Sequence, residues 1–79
     1  YPNPFNPTTT IRYALPHRSH VLITAFNPLG QQVAQLVEAE VEAGYHEVQF
    51  NATNLASGVY FYRMQAGTFT DTRKLLLVR

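Results

Sequence analysis

Cysteine and tryptophan are absent from this sequence, and charged residues make up only 14% of it. The lack of cysteine excludes disulfides, thiol catalysis and any zinc or iron–sulfur site that depends on thiolate ligands. Six Lys and Arg against five Asp and Glu give a net charge of +1. This balance argues against nucleic acid as a partner, because such surfaces need clustered cations. No uninterrupted apolar run approaches the roughly 20 residues of a membrane-spanning helix.

The composition that remains is that of one small folded domain. Hydrophobic residues make up 46% of 79 residues, which is too apolar for a disordered chain. The sequence begins at Tyr1 without a Met or an export signal, so we expect a piece of a longer protein. Three prolines among the first seven residues disfavour a helix. We therefore predict a proline-rich lead-in from an upstream domain at residues 1–7 and one domain at residues 8–79.

Apolar and polar residues alternate along most of the domain, which is typical of half-buried strands. Ile11, Tyr13 and Leu15 share one face of the first such run, which ends at Pro16. Further runs begin near residues 21, 45, 58 and 68, and turn residues separate them. About six strands at short, even intervals predict an antiparallel sandwich or a small barrel.

The segment at residues 31–43 fits two periods. Val33, Leu36, Val37 and Val41 have helical spacing, whereas Val33, Val37, Ala39 and Val41 fit the two-residue period of a strand. Periodicity alone does not decide between them. We predict a strand, because short strands flank the segment on both sides and a lone helix would need its own packing surface.

Residues 55–60 have the L-x-x-G-x-Y form of a tyrosine corner, in which a tyrosine hydroxyl bonds to the backbone a few residues upstream. This pattern assigns structural roles to Gly58 and Tyr60. If Tyr60 points inward, Tyr62 and Met64 do so as well, and the residues between them point outward.

Residues capable of catalysis or metal binding are few and scattered. We interpret His17 and His20 as solvated turn residues and His46 as a partly buried, hydrogen-bonded residue rather than a general base. Three glutamates at positions 38, 40 and 42 would share one strand face, which we interpret as a solvated acidic surface rather than a calcium site. No nucleophile elbow, phosphate loop or acid pair appears, so we predict no enzyme activity, no cofactor and no metal.

The end of the sequence is more unusual. Four consecutive aliphatic residues, Leu75, Leu76, Leu77 and Val78, lie between Arg73-Lys74 and Arg79. On a strand they send apolar side chains to both faces, although the outer face of a sandwich is normally polar. Either an edge loop or the lead-in covers the second face, or that face is a docking surface for another protein.

Several of these segments together resemble one family. They are the opening Tyr1–Ile11, the turn Leu29-Gly30, the segments Ala43–His46 and Leu55–Arg63, and the ending Thr72–Leu75. In combination the sequence is similar to the C-terminal sorting domain, type A, of type IX secretion cargo, over essentially all 79 residues. The immunoglobulin-like part of flagellar hook-capping proteins has a related form.

The resemblance implies an all-β, immunoglobulin-like or fibronectin-III-like antiparallel sandwich of about seven strands. It also implies a partner at the outer-membrane translocon, removal by a sortase-like peptidase in many members, and attachment to surface lipopolysaccharide or release outside the cell. The upstream part of such proteins is often a hydrolase or an adhesin. The matched recognition positions are Gly58, Tyr60, Arg73, Lys74 and Leu75.

The sequence departs from the family pattern at three positions. Asn27 and Asn51 stand where aspartate is expected, and Phe50 stands where an indole is expected. Asparagine keeps the side-chain oxygen that forms turns, so the departures bear on ion binding rather than on the fold.

Two functions remain as hypotheses from the sequence. The first is a non-catalytic sorting and cell-surface attachment domain, which acts through its folded surface and last strand. The alternative is a carbohydrate-binding accessory module of a secreted glycoside hydrolase, in which Tyr45, Phe61 and Phe69 would form a sugar-stacking face.

Overall fold

The computed structural model of the protein describes residues 8–78, which form six β-strands. The strands are β1 (Thr8–Leu15), β2 (Ser19–Phe26), β3 (Gln32–Val41), β4 (Gly44–Asn51), β5 (Gly58–Ala66) and β6 (Phe69–Leu77). The six strands within these residues match the number that the alternating pattern predicts and are one fewer than the family resemblance implies. No helix long and apolar enough to cross a membrane occurs within residues 8–78. The predicted lead-in at residues 1–7 lies outside the described residues.

The strands form two antiparallel sheets, which confirms the all-β class and the immunoglobulin-like sandwich. Sheet A contains β1 and β4, and sheet B has the order β3-β2-β5-β6. Although β1 and β2 are consecutive, β1 pairs with β4 from the Thr8–Asn51 pair to the Leu15–Gly44 pair. The chain thus crosses between the two layers, so the arrangement is a sandwich and not a barrel.

The core lies between the inner faces of the two sheets and follows the predicted alternation. Its buried members are Ile11, Leu15, Val21, Ile23, Ala25, Phe50, Ala52, Tyr60, Met64 and Leu77. Full burial of one aliphatic or aromatic side chain of this kind stabilises a fold by about 1.5–3 kcal/mol. With so few large members, each position contributes a substantial share of the stability of this small domain.

Strand β3 confirms the strand prediction for the ambiguous segment and explains its mixed periodicity. Its register with β2 shifts between Ile23 and Thr24 and again between Ala25 and Phe26. Each shift leaves one residue of β3, Leu36 and then Val33, without a direct partner. Such β-bulges change the face on which the following residues lie, so a strand of this kind imitates helical spacing.

Asparagine side chains fix two of the connections between strands. The Asn27 Oδ1 atom accepts hydrogen bonds from the backbone N–H groups of Leu29 at 3.0 Å and Gln31 at 2.9 Å. The Asn51 Oδ1 atom accepts a bond from the Thr53 N–H group at 3.0 Å and a second one from the Thr53 hydroxyl. Both asparagines therefore form side-chain hydrogen bonds within their turns, as their turn chemistry predicts.

Candidate docking surface

The aliphatic residues at the end of the chain divide between the two faces of β6. Leu77 is 5% exposed and belongs to the core, and half-buried Leu75 packs against the same core cluster. Leu76 is 57% exposed on the opposite face, and Val78 is half-buried just after the strand. The strand therefore places one large aliphatic side chain in solvent between two that pack inward.

The tyrosine corner anchors the neighbouring strand β5. The Tyr60 hydroxyl donates a hydrogen bond to the Ala56 carbonyl oxygen at 2.7 Å, and the ring is buried. Gly58 has a φ of 150°, a conformation that residues with a side chain rarely adopt. Met64 is buried and Tyr62 packs against both core clusters. The predicted inward orientation of Tyr60, Tyr62 and Met64 along β5 is confirmed.

The outer face of sheet B carries an apolar and cationic surface that draws on three strands. We call it the outer patch, and it consists of Phe26, Val59, Phe61, Arg63, Lys74 and Leu76. Cross-strand pairing places Phe26 beside Phe61, and Val59 beside Leu76. Sequence reasoning identified Leu76 and Lys74 but missed the other four as parts of one surface. The register of β2, β5 and β6 brings them together, and no local pattern encodes that register.

The charged residues of β6 lie on opposite faces of the strand. The Arg73 Nε atom donates a hydrogen bond to Asp71 Oδ2 at 2.8 Å, and this bond raises the pKa of Arg73 above its ordinary value. Lys74 is exposed on the outer face as the cross-strand partner of Phe61. Two adjacent cations that the sequence groups together therefore face different surroundings.

Two of the three histidines bind neighbouring groups of the chain. His46 is half-buried, donates from Nε2 to the Glu42 carbonyl oxygen at 2.7 Å, and stacks on Tyr13 with ring centroids 5.5 Å apart. Burial raises the pKa of the Tyr13 phenol. His20 lies in β2 rather than in the predicted turn, with Nδ1 3.5 Å from Glu40 Oε2. His17 is exposed, as predicted for a solvated turn residue.

The three glutamates near the end of β3 pair with cations of the same chain. Arg18 contacts Glu42 and has Nε 3.5 Å from Glu40 Oε1, while His20 Nε2 lies 4.0 Å from Glu38 Oε2. Within residues 8–78, no group of three His, Asp or Glu side chains is placed to hold a metal ion. The cluster is thus an exposed network of ion pairs.

The aromatic face that the carbohydrate alternative requires does not form. Tyr45 is 92% exposed on the outer face of sheet A, where it borders an open cleft of about 710 Å³. Phe61 belongs to the outer patch on the other sheet, and Phe69 lies at the start of β6 beside a groove between the two sheets. The prediction that these three rings share one surface is wrong, because their strand positions send them to three different surfaces.

Fold and surface together define a small antiparallel β-sandwich domain with an apolar, cationic outer face. The sequence matches the family of secretion system C-terminal sorting domains over residues 1–78, and the chain belongs to that family. The family serves type IX secretion and is not known as catalytic. Membership means that the domain acts with the secretion machinery and that its protein is exported across the outer membrane. No curated protein and no solved structure shows a significant match to the chain.

Proposed function

We propose that this chain is a non-catalytic sorting and cell-surface attachment domain whose folded surface docks on the outer-membrane translocon. The observation that carries the proposal is the exposure of Leu76 on β6, between residues that pack inward. Leu76 does not stand alone, because cross-strand pairing places it beside Val59 and the same face carries Phe26 and Phe61. A contiguous apolar patch of this kind is typical of a protein interaction site. The family's role in secretion supplies the reason for such a partner.

The proposal divides six of the eight predicted recognition residues into two groups and assigns no contact to Arg73 or Val78. Gly58, Tyr60, Leu75 and Leu77 shape and stabilise the domain, because their side chains or backbone conformations belong to the core and its corner. Lys74 and Leu76 contact the partner directly. We further propose that residues 1–7 connect residues 8–79 to an upstream catalytic or adhesin domain. A sortase-like peptidase would then remove the sorting domain and leave the cargo on surface lipopolysaccharide or free outside the cell.

The test is surface delivery of a reporter that carries an export signal and this domain, in a bacterium with the type IX machinery. Leu76→Ser should block delivery while the purified domain melts as the wild type does. Leu29→Ser is the matched control, because Leu29 is 84% exposed in the β2–β3 turn and outside β6. We expect it to keep delivery.

Two outcomes would contradict the proposal. Delivery that requires no sorting domain would remove the secretion role. A wild-type domain that binds a polysaccharide, together with normal export of Leu76→Ser, would favour the carbohydrate-binding alternative instead.

A further inference from the structure

Two cations of the outer patch have no carboxylate partner among the described residues. Each of the five acidic side chains lies within 4.0 Å of an arginine or histidine nitrogen. The arginines in these pairs are Arg12, Arg18 and Arg73. Arg63 and Lys74 are the described cations that take part in none of them. Their charge is therefore not balanced within residues 8–78.

Both cations flank the same ring. Lys74 is the cross-strand partner of Phe61, and Arg63 lies two residues beyond Phe61 along β5. The Arg63 guanidinium carbon lies 5.0 Å from the centroid of the Phe26 ring, which holds the charge against the apolar part of the patch. The outward positions of β2, β5 and β6 among the described residues carry no carboxylate. The outer patch is thus apolar at its centre and positive beside it.

We infer that the outer patch binds a protein surface that combines apolar side chains with at least two carboxylates. This inference rests on the proposed sorting function, since it names the chemistry of the partner that docks there. Apolar centres with polar surroundings are typical of protein interfaces, and complementary charges orient the partners and speed their encounter. A partner without carboxylates would leave Arg63 and Lys74 desolvated and unpaired, at a cost in affinity.

A second copy of the chain is a poor occupant. Four of its five acidic side chains already pair with an arginine of their own chain, and Glu38 lies 4.0 Å from His20, so a second copy offers mostly carboxylates that already have a cationic partner. An anionic lipid surface fits less well for a geometric reason. Lipid binding favours apolar side chains that protrude into the acyl region, whereas the two aromatic rings of the patch, Phe26 and Phe61, are half-buried.

Charge reversal tests the inference in the export assay. Lys74→Glu and Arg63→Glu should each abolish surface delivery, whereas Lys74→Arg should retain it. Gln49→Glu is the control, because it adds one negative charge at an exposed position on sheet A. The melting temperature of each purified variant separates loss of docking from loss of folding. If Arg63→Glu unfolds the domain, the exposed Lys74 still provides the test.

Lys74 is the single lysine in the sequence, so a cross-link to its amine identifies which partner group contacts it. A carbodiimide joins an amine to a carboxylate without a spacer, so the two groups must be in contact. In cells that export the reporter, we expect a peptide containing Lys74 to be joined to an Asp or Glu of a machinery protein. Lys74→Arg should keep delivery and lose this product.

Five results would overturn the inference. Normal delivery of Lys74→Glu, or equal loss with Gln49→Glu, would show that charge on the patch is not recognised. A cross-link from Lys74 to a glutamate of a second copy would assign the patch to a dimer. Flotation of the wild type with phosphatidylglycerol vesicles, lost in Lys74→Glu, would assign it to lipid. A wild-type domain that fails to deliver the reporter contradicts the sorting function itself, and the docking role of the patch with it.

Discussion

The Tyr60 hydroxyl joins the start of β5 to the loop before it, in which Ala52 is buried and Leu55 packs against the core. The donor lies at the end of a buried ring, and the acceptor is the carbonyl of Ala56, an exposed residue. Removing the hydroxyl leaves the ring in the core but leaves this carbonyl without its partner. The Tyr60 hydroxyl is therefore the group whose removal tests this contact between the loop and β5.

Tyr60→Phe should lower the free energy of unfolding by about 1–2 kcal/mol, since a partly buried hydrogen bond is lost while the ring stays in the core. Chemical denaturation measures the difference, with one m-value, the dependence of the unfolding free energy on denaturant concentration, fitted to both proteins. Tyr45→Phe is the matched control, because Tyr45 is almost fully exposed, and its stability should not change. Equal stability of Tyr60→Phe and the wild type would contradict the tyrosine corner.

Strand β6 has one face in the core and one in solvent, and two neighbouring leucines, Leu77 and Leu76, lie on these two faces. Leu77→Ser should destabilise the domain by roughly 2–4 kcal/mol, because it leaves a cavity and places a hydroxyl in the core. Leu76→Ser should change stability by less than about 0.5 kcal/mol. Thermal melting of the two variants measures both effects. Similar losses in both would mean that the strand is buried on its two faces.

Sequence patterns predicted the strands and their inward faces well, because alternation depends only on which side chains avoid water. They did not predict that β1 pairs with β4, since alternation carries no information on which strand lies beside which. The helical spacing of Val33, Leu36 and Val37 arose from two bulges, and bulges have no reliable signature in one sequence. The outer patch could not be predicted for the same reason, because Phe26 and Phe61 meet only through the register of β2 and β5.

For the molecule as a whole, charge pairing leaves no acidic cluster free to hold a cation within residues 8–78. We expect a chelator such as EDTA to leave the melting temperature unchanged. Glu40 of β3 lies 3.5 Å from both Arg18 and His20. The turns at Asn27 and Asn51, where the family pattern expects aspartate, are held by hydrogen bonds to the asparagine side chains. EDTA saturated with calcium controls for ionic strength. A fall of many degrees with EDTA alone would reveal a stabilising ion, because a ligand bound only to the folded state raises stability by mass action.

The pairing of β1 with β4 also sets the order in which the chain can fold. Short turns join β2 to β3 and β5 to β6, so each of these pairs can form locally. Pairing of β1 with β4 instead closes a loop that contains all of β2 and β3, which costs more chain entropy. While Gly44 and later residues are still extended, β4 is not available to pair with β1. Ile11 and Leu15 then lack part of the core against which they pack. Because β1 pairs with a strand that is distant in the sequence, we expect the β2–β3 and β5–β6 pairs to form first and β1 to remain unpaired until β4 is available.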